Sequence, residues 1–225
     1  MRLFQGILFG LLCVPLTAFA FSFPELFTVE NTKVDISSTS FIAPEEIEQY
    51  ESRIDAWQTL IEESQNDSDW QKINKANQFF NRISYSADNV QWGVEDYWAS
   101  PREFLRNNAG DCEDYSIAKY FTLKAMGVSD DRLRITYVTS LPLNQAHMVL
   151  VYLDGGEKTP LVLDNLREKI EPFSLRKDLE PVYSFNNNGL WLAFRDVNKE
   201  ELIGDTQQIG PWETLSLKVA EDQFL

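Results

Sequence analysis

The stretch GDCEDYSIAKYFTLKAMGVSDDRLRITYV, residues 110–138, contains one change of period, and that change decides the fold class. In its first half Ile117, Phe121 and Ala125 recur at steps of four, the spacing of one helix face. Gly127 ends the pattern, as a glycine just past a helix does, because left-handed backbone costs it nothing. From Leu133 the period becomes two. Leu133, Ile135 and Tyr137 alternate with Arg134 and Thr136, which predicts a half-buried strand.

Outward from this stretch the division persists. Upstream, Ile47, Tyr50, Ile54, Trp57 and Ile61 form one stripe at steps of three and four, and Pro44 suits a first helical turn. Trp70, Ile73, Ala76, Phe80 and Ile83 form a second stripe after Asn66-Asp67-Ser68-Asp69, which reads as a turn and helix cap. Both stripes read as core packing. Ser100-Pro101-Arg102-Glu103 is a capping box that opens a short helix near Pro101–Arg106. Downstream, His147, Val149 and Val151 alternate with Met148, Leu150 and Tyr152 as a second strand. Asp154-Gly155-Gly156 reads as a hairpin turn and Leu161-Val162-Leu163-Asp164 as the returning strand. Val182–Phe185 and Leu190–Phe194 flank Asn186-Asn187-Asn188-Gly189 as a further hairpin. Helices first and antiparallel strands second predict an α+β domain. The last twenty residues show no clear pattern.

Within the 225 residues, 44% are hydrophobic and 24% charged, enough apolar material for a core. The net charge of −15 gives no general attraction to phosphate backbones, which argues against nucleic acid as a partner. Residues 1–20 read as a cleaved signal peptide: Arg2, an apolar stretch from Leu3 to Leu16, then Ala18-Phe19-Ala20. A lipid anchor at Cys13 is disfavoured by Leu12, where a small residue is required. Cleavage removes one base and no acid, leaving a charge of −16. Residues 21–42 read as an extended arm, and 43–225 as one domain. The expectation is an exported, periplasmic protein that does not span the membrane, with one cysteine and one histidine left. A lone thiol in an oxidising compartment is either buried or put to use.

That cysteine is Cys112, at the predicted helix start after Gly110, where the helix dipole favours a thiolate. The only histidine, His147, opens a strand, and Asp164 lies 17 residues further on, across a hairpin on the neighbouring strand. Thiol, imidazole and carboxylate in this order fit the logic of acyl-transfer catalysis, with the carboxylate fixing the imidazole tautomer. Each residue alone has an ordinary reading: a buried small apolar group, a core histidine, a turn aspartate. Their joint occurrence carries the inference. The Cys112 amide is a candidate oxyanion donor, with an indole from Trp92 or Trp98 as a second.

Asp111, Glu113 and Asp114 crowd the thiol, and like charges oppose its ionisation. Acids in a first helical turn stabilise the macrodipole. Alternatively they hold a divalent cation. Oxygen donors alone suit Ca²⁺ better than Zn²⁺. The spacing does not match a twelve-residue EF-hand loop, and on residue types both readings stand.

Gly110-Asp111-Cys112-Glu113-Asp114-Tyr115, with Ser116-Ile117-Ala118-Lys119-Tyr120 after it, resembles the bacterial transglutaminase-like cysteine proteinases. Trp98-Ala99-Ser100-Pro101-Arg102-Glu103-Phe104-Leu105, Ala146-His147-Met148-Val149-Leu150 and Leu163-Asp164-Asn165 support the likeness, which spans roughly residues 40–195. The resemblance implies a papain-like, transglutaminase-type core and a Cys112-His147-Asp164 triad. It implies calcium dependence with Asp111 and Glu113 as ligands and Asp114 as a further candidate. It also implies a large surface adhesin as protein substrate, cut in its N-terminal region at a paired-alanine site. The implied partner is an inner-membrane cyclic di-GMP receptor of the LapD type. Two rivals stay open: a transglutaminase that passes the acyl group to an amine, and a non-catalytic periplasmic binding module.

Overall fold

A computed structural model of the chain describes residues 43–154, 160–193 and 201–222. The predicted signal peptide and arm, and residues 155 and 156 of the predicted turn, lie outside these.

Five helices precede the main sheet among the described residues. Helix α1 is Pro44–Glu63 and α2 is Asp69–Phe80. Strand β1 (Ser84–Tyr85), the short helix α3 (Asp88–Gln91), α4 (Pro101–Asn107) and β2 (Ala109–Gly110) follow. Helix α5 is Cys112–Ala125. Both predicted proline starts and both caps are present. Ser68 caps α2 with Gln71, and Ser100 caps α4, its N–H donating to Glu103 Oε2 at 2.8 Å. Gly127 ends the α5 segment at φ +86°, the left-handed conformation expected there.

The strands are β3 (Leu133–Ser140), β4 (Gln145–Tyr152), β5 (Leu161–Leu163), β6 (Glu171–Pro172), β7 (Leu179–Asn186), β8 (Gly189–Leu192) and β9 (Glu201–Gly204). They form one sheet in the order β6-β5-β4-β3-β7-β8-β9 with every pairing antiparallel. The α+β expectation holds. So does the Asn-rich hairpin, where Asn186 pairs with Gly189; Phe194 lies outside the described residues.

One expectation needs correction. Strand β3 is not half-buried. It is central, and both of its faces are covered. Leu133 and Ile135 join a core with Ile73 of α2, Ile117 and Leu123 of α5, and Leu150 of β4. Val138 joins Val149, Val151, Val162, Phe173 and Leu179 on the other face. The C-terminal segment, where the sequence shows no clear pattern, is ordered as well. Gly210–Glu221 is a helix, α6, whose Trp212, Leu215 and Val219 are buried in the same core as α5.

The helical stripes are real but imperfect. Ile54 and Trp57 of α1, with Phe80, Phe104, Leu105, Tyr115 and Ala118, build a second core behind α5. Ile47 and Trp70 are exposed. Each fully buried side chain of this size contributes about 1.5–3 kcal/mol of transfer free energy. The Trp57 indole donates to Thr122 Oγ1 at 2.8 Å, and the Tyr115 hydroxyl to the Ile83 carbonyl at 2.6 Å. Helix α5 is therefore held between a helical layer and the sheet, which fixes where its first residue emerges.

Candidate active site

Helix α5 begins at Cys112 because Asp111 and Asp114 close its first turn. The Asp111 N–H donates to Asp114 Oδ2 at 3.3 Å, and Asp114 Oδ1 accepts from the Ala99 N–H at 2.9 Å. Asp114 is thus buried and taken up in capping the helix and tethering the segment before α4. Gly110 is required for close approach. A Cβ there would meet the Asp114 carboxylate and, at 2.8 Å, the ring of Phe104.

Cys112 and His147 line the same cleft, a space of about 660 Å³ whose walls include Trp98, Tyr137, Tyr183 and Leu166. The Met148 N–H, beside His147 on β4, faces the Cys112 sulfur and weakly favours its charged form. His147 is buried, and its Nε2 lies 2.9 Å from Asp164 Oδ1. Asp164 is buried too. Its Oδ1 also accepts from the Leu166 N–H at 2.9 Å, and its Oδ2 accepts from Arg176 Nη2 at 2.6 Å. Burial pushes the Asp164 carboxyl up. The His147 pairing, the Leu166 amide and Arg176 more than offset it, so the carboxyl sits well below the usual range. Arg176 gives no signal in the sequence: it lies in an irregular segment, 12 residues past its partner.

The thiol departs from expectation. The helix N-terminus was expected to depress its pKa. Instead burial first, then the charge and hydrogen bond of Glu113, push it far up. The thiol and Glu113 Oε2 are 3.0 Å apart, so the proton is held toward that carboxylate. The predicted indole donors also differ. Trp98 lines the cleft but donates to Asp96 Oδ1 at 3.0 Å, while Trp92 is not among the lining residues and packs on Tyr97 at 4.2 Å.

Around the thiol the acids form a nest. Carboxylate oxygens of Asp88, Asp96 and Glu113 lie within 4.8 Å of one another. Asp88, Asp111 and Asp114 meet the same limit, as do Asp111, Cys112 and Glu113. Burial pushes Asp88 up to about 6, and it pushes Glu113, Asp111 and Asp114 up as well. Asp88 Oδ1 and Asp111 Oδ1 are buried with no hydrogen-bond partner among the described residues. Buried oxygens left unpaired at the centre of an all-carboxylate nest fit a hard cation of the Ca²⁺ type. Asp111 and Glu113 were expected here; Asp88 and Asp96 were not. They come from α3 and the segment after it, and only folding brings them to the start of α5.

Comparisons with known proteins identify the fold and the family. A family profile described as bacterial transglutaminase-like cysteine proteinase matches residues 39–197. The structure is similar to that of LapG from Legionella pneumophila: 45% identity, 76% of this chain and 89% of that chain, TM-score 0.67. A calcium-bound form of that protein matches at 44% identity, 76% of this chain and 91% of that one, TM-score 0.67. An EGTA-treated form matches at 46%, 76% and 89%, TM-score 0.68. No curated protein matches the chain. The papain-like, transglutaminase-type fold expected from the sequence is therefore the fold observed. The chain belongs to the bacterial transglutaminase-like cysteine proteinases.

Proposed function

We propose that this protein is a calcium-dependent cysteine endopeptidase of the periplasm. Its substrate is the N-terminal region of a large surface adhesin, and the cut releases the adhesin and promotes biofilm dispersal. An inner-membrane cyclic di-GMP receptor of the LapD type restrains it. The observation that carries the enzymatic part is the buried His147–Asp164 pair at 2.9 Å, opening on the cleft that Cys112 also lines. The family supports a cysteine peptidase, and residues 1–20 support export. Among the described residues no helix is long and apolar enough to cross a membrane.

The chemistry follows from the atoms. With Nε2 bonded to Asp164, His147 has Nδ1 left to take the Cys112 proton. The sulfur attacks the scissile carbonyl carbon, and the Cys112 amide at the helix start receives the negative oxygen. The C–N bond breaks as the imidazolium returns its proton to the leaving amine. Water, losing a proton to His147, then cleaves the thioester and frees the sulfur. Asp164 holds the tautomer throughout.

Asp88, Asp96, Asp111 and Glu113 would hold the calcium ion. When bound, it supplies positive charge that offsets the carboxylates crowding the thiol. The existence of calcium-bound and EGTA-treated forms of the related LapG supports this assignment.

The test mixes mature protein with the N-terminal segment of a large adhesin from the same cell, with and without chelator. Cleavage that vanishes in Cys112→Ala and in chelator is the expected result. Cleavage by Cys112→Ala would refute the nucleophile, and full activity in excess chelator would refute the metal.

A further inference from the structure

Asp164 has more work than one partner explains. Its Oδ1 faces His147 Nε2 and the Leu166 amide, so that oxygen is committed. A carboxylate can rotate about its terminal torsion, and rotation would break the bond to His147. What prevents it is on Oδ2: Arg176 Nη2 at 2.6 Å. Arg176 is itself only 1% exposed and is braced from its other side by Asp178. The Nε–Oδ1 distance there is 3.0 Å and the Nη2–Oδ2 distance 2.8 Å. One planar guanidinium thus ties two carboxylates, the fork geometry that lysine cannot reproduce.

A second buried basic group lies within electrostatic reach of Asp164, with its pKa lowered to about 7 by burial. Lys119 of α5 is fully buried, and its Nζ has no hydrogen-bond partner among the described residues. Lys119 offers charge without direction; Arg176 offers both.

We infer that Arg176 is a positioning residue for the reaction: through Asp164 Oδ2, braced by Asp178, it fixes the carboxylate so that His147 keeps its Nε2–H tautomer and presents Nδ1 to Cys112. The inference rests on the peptidase reading given above, but its primary readout does not. His147 is the one histidine of the chain, so its ring N–H signal needs no assignment by mutagenesis. An Nε2–H held by a buried carboxylate gives a downfield proton protected from solvent exchange.

The experiment records this proton by NMR, and kcat and KM on an adhesin peptide, for wild type, Arg176→Lys and Lys119→Met. Wild type is expected to show the protected Nε2–H. Folded Arg176→Lys is expected to lose it and to drop kcat by about 10- to 100-fold, the usual effect of removing such an outer partner, with KM unchanged. Lys119→Met is expected to keep the signal. Arg176→Lys with the wild-type signal and kcat overturns the inference. Loss of the signal in Lys119→Met as well overturns its geometric part, since charge alone would then suffice. Should Arg176→Lys fail to fold, Asp178→Asn takes its place with the same signs, and no change in signal or kcat there overturns the inference. If wild type cleaves no peptide while Arg176→Lys still loses the signal, the positioning role stands and the peptidase reading alone falls.

Discussion

Two residues of the site sit in opposite electrostatic settings. Asp164 is held ionised by donors on both of its oxygens, whereas Cys112 is held protonated by burial and by Glu113. Asp164→Asn keeps the volume and removes the acceptor that selects the His147 tautomer. It should lower kcat by about 10³- to 10⁴-fold with little change in KM, by steady-state kinetics on an adhesin peptide. It also leaves Arg176 facing a neutral amide, so a lower melting temperature accompanies the kinetic loss. For Cys112 the sign is reversed. Cation binding at the acidic nest should lower the thiol pKa, so alkylation by iodoacetamide near pH 8 should be slow in chelator and faster with calcium. Equal rates in the two conditions would remove the link between nest and thiol. Cys112 and His147 were legible as candidates in the sequence because cysteine and histidine are rare in this chain, and Asp164 by its place across a hairpin from the histidine strand. Arg176, Asp88 and Asp96 were not. Charged residues are common in this chain, and nothing in their local spacing marks a long-range partner.

The element that matters most is α5, because its first turn carries Cys112, the proposed nucleophile. That turn is fixed by Gly110, the Asp111–Asp114 cap and the tether from Asp114 to Ala99. Gly110→Ala forces a Cβ against Phe104 and the Asp114 carboxylate. Overpacking of this kind costs about 1–3 kcal/mol, visible as a lower midpoint in urea, and it displaces the helix start, so activity should fall further than stability explains. Wild-type stability and activity in that variant would show that the turn tolerates displacement. At this scale the sequence was read well where period and caps agree, as at Ser68, Ser100 and Gly127. It was misread at β3. The alternation of Arg134 and Thr136 with apolar residues suggested a wet face, yet Arg134 is buried with its guanidinium 3.9 Å from the Trp191 ring. It was silent on α6, where Trp212, Leu215 and Val219 are spaced for one face but span only about two turns.

Across the whole molecule the dominant electrostatic fact is a buried acidic nest in a chain of net charge −15. Folding raises the pKa values of Asp88, Glu113, Asp111 and Asp114 above their unfolded values, with Asp88 near 6. The folded state therefore binds more protons than the unfolded state between the two sets of values. Stability from these groups is fully present below the ordinary carboxylate range near 4, and it is lost as pH rises through the folded values. Asp164 works the other way, since its folded pKa is depressed. Its contribution is present above about pH 4 and disappears only in stronger acid. Calcium-free protein should therefore be most stable in mild acid, and its melting temperature should fall as pH is raised from 5 to 8. Calcium binds the folded nest in its ionised form, so it should raise the melting temperature most at pH 8 and least at pH 5. For a chain of this size each kcal/mol corresponds to roughly 2–4 °C. Differential scanning fluorimetry over that range, with calcium and with EGTA, reads both slopes. A calcium effect equally large at pH 5 and pH 8 would mean that the ion does not compete with these protons, and would place it away from the start of α5.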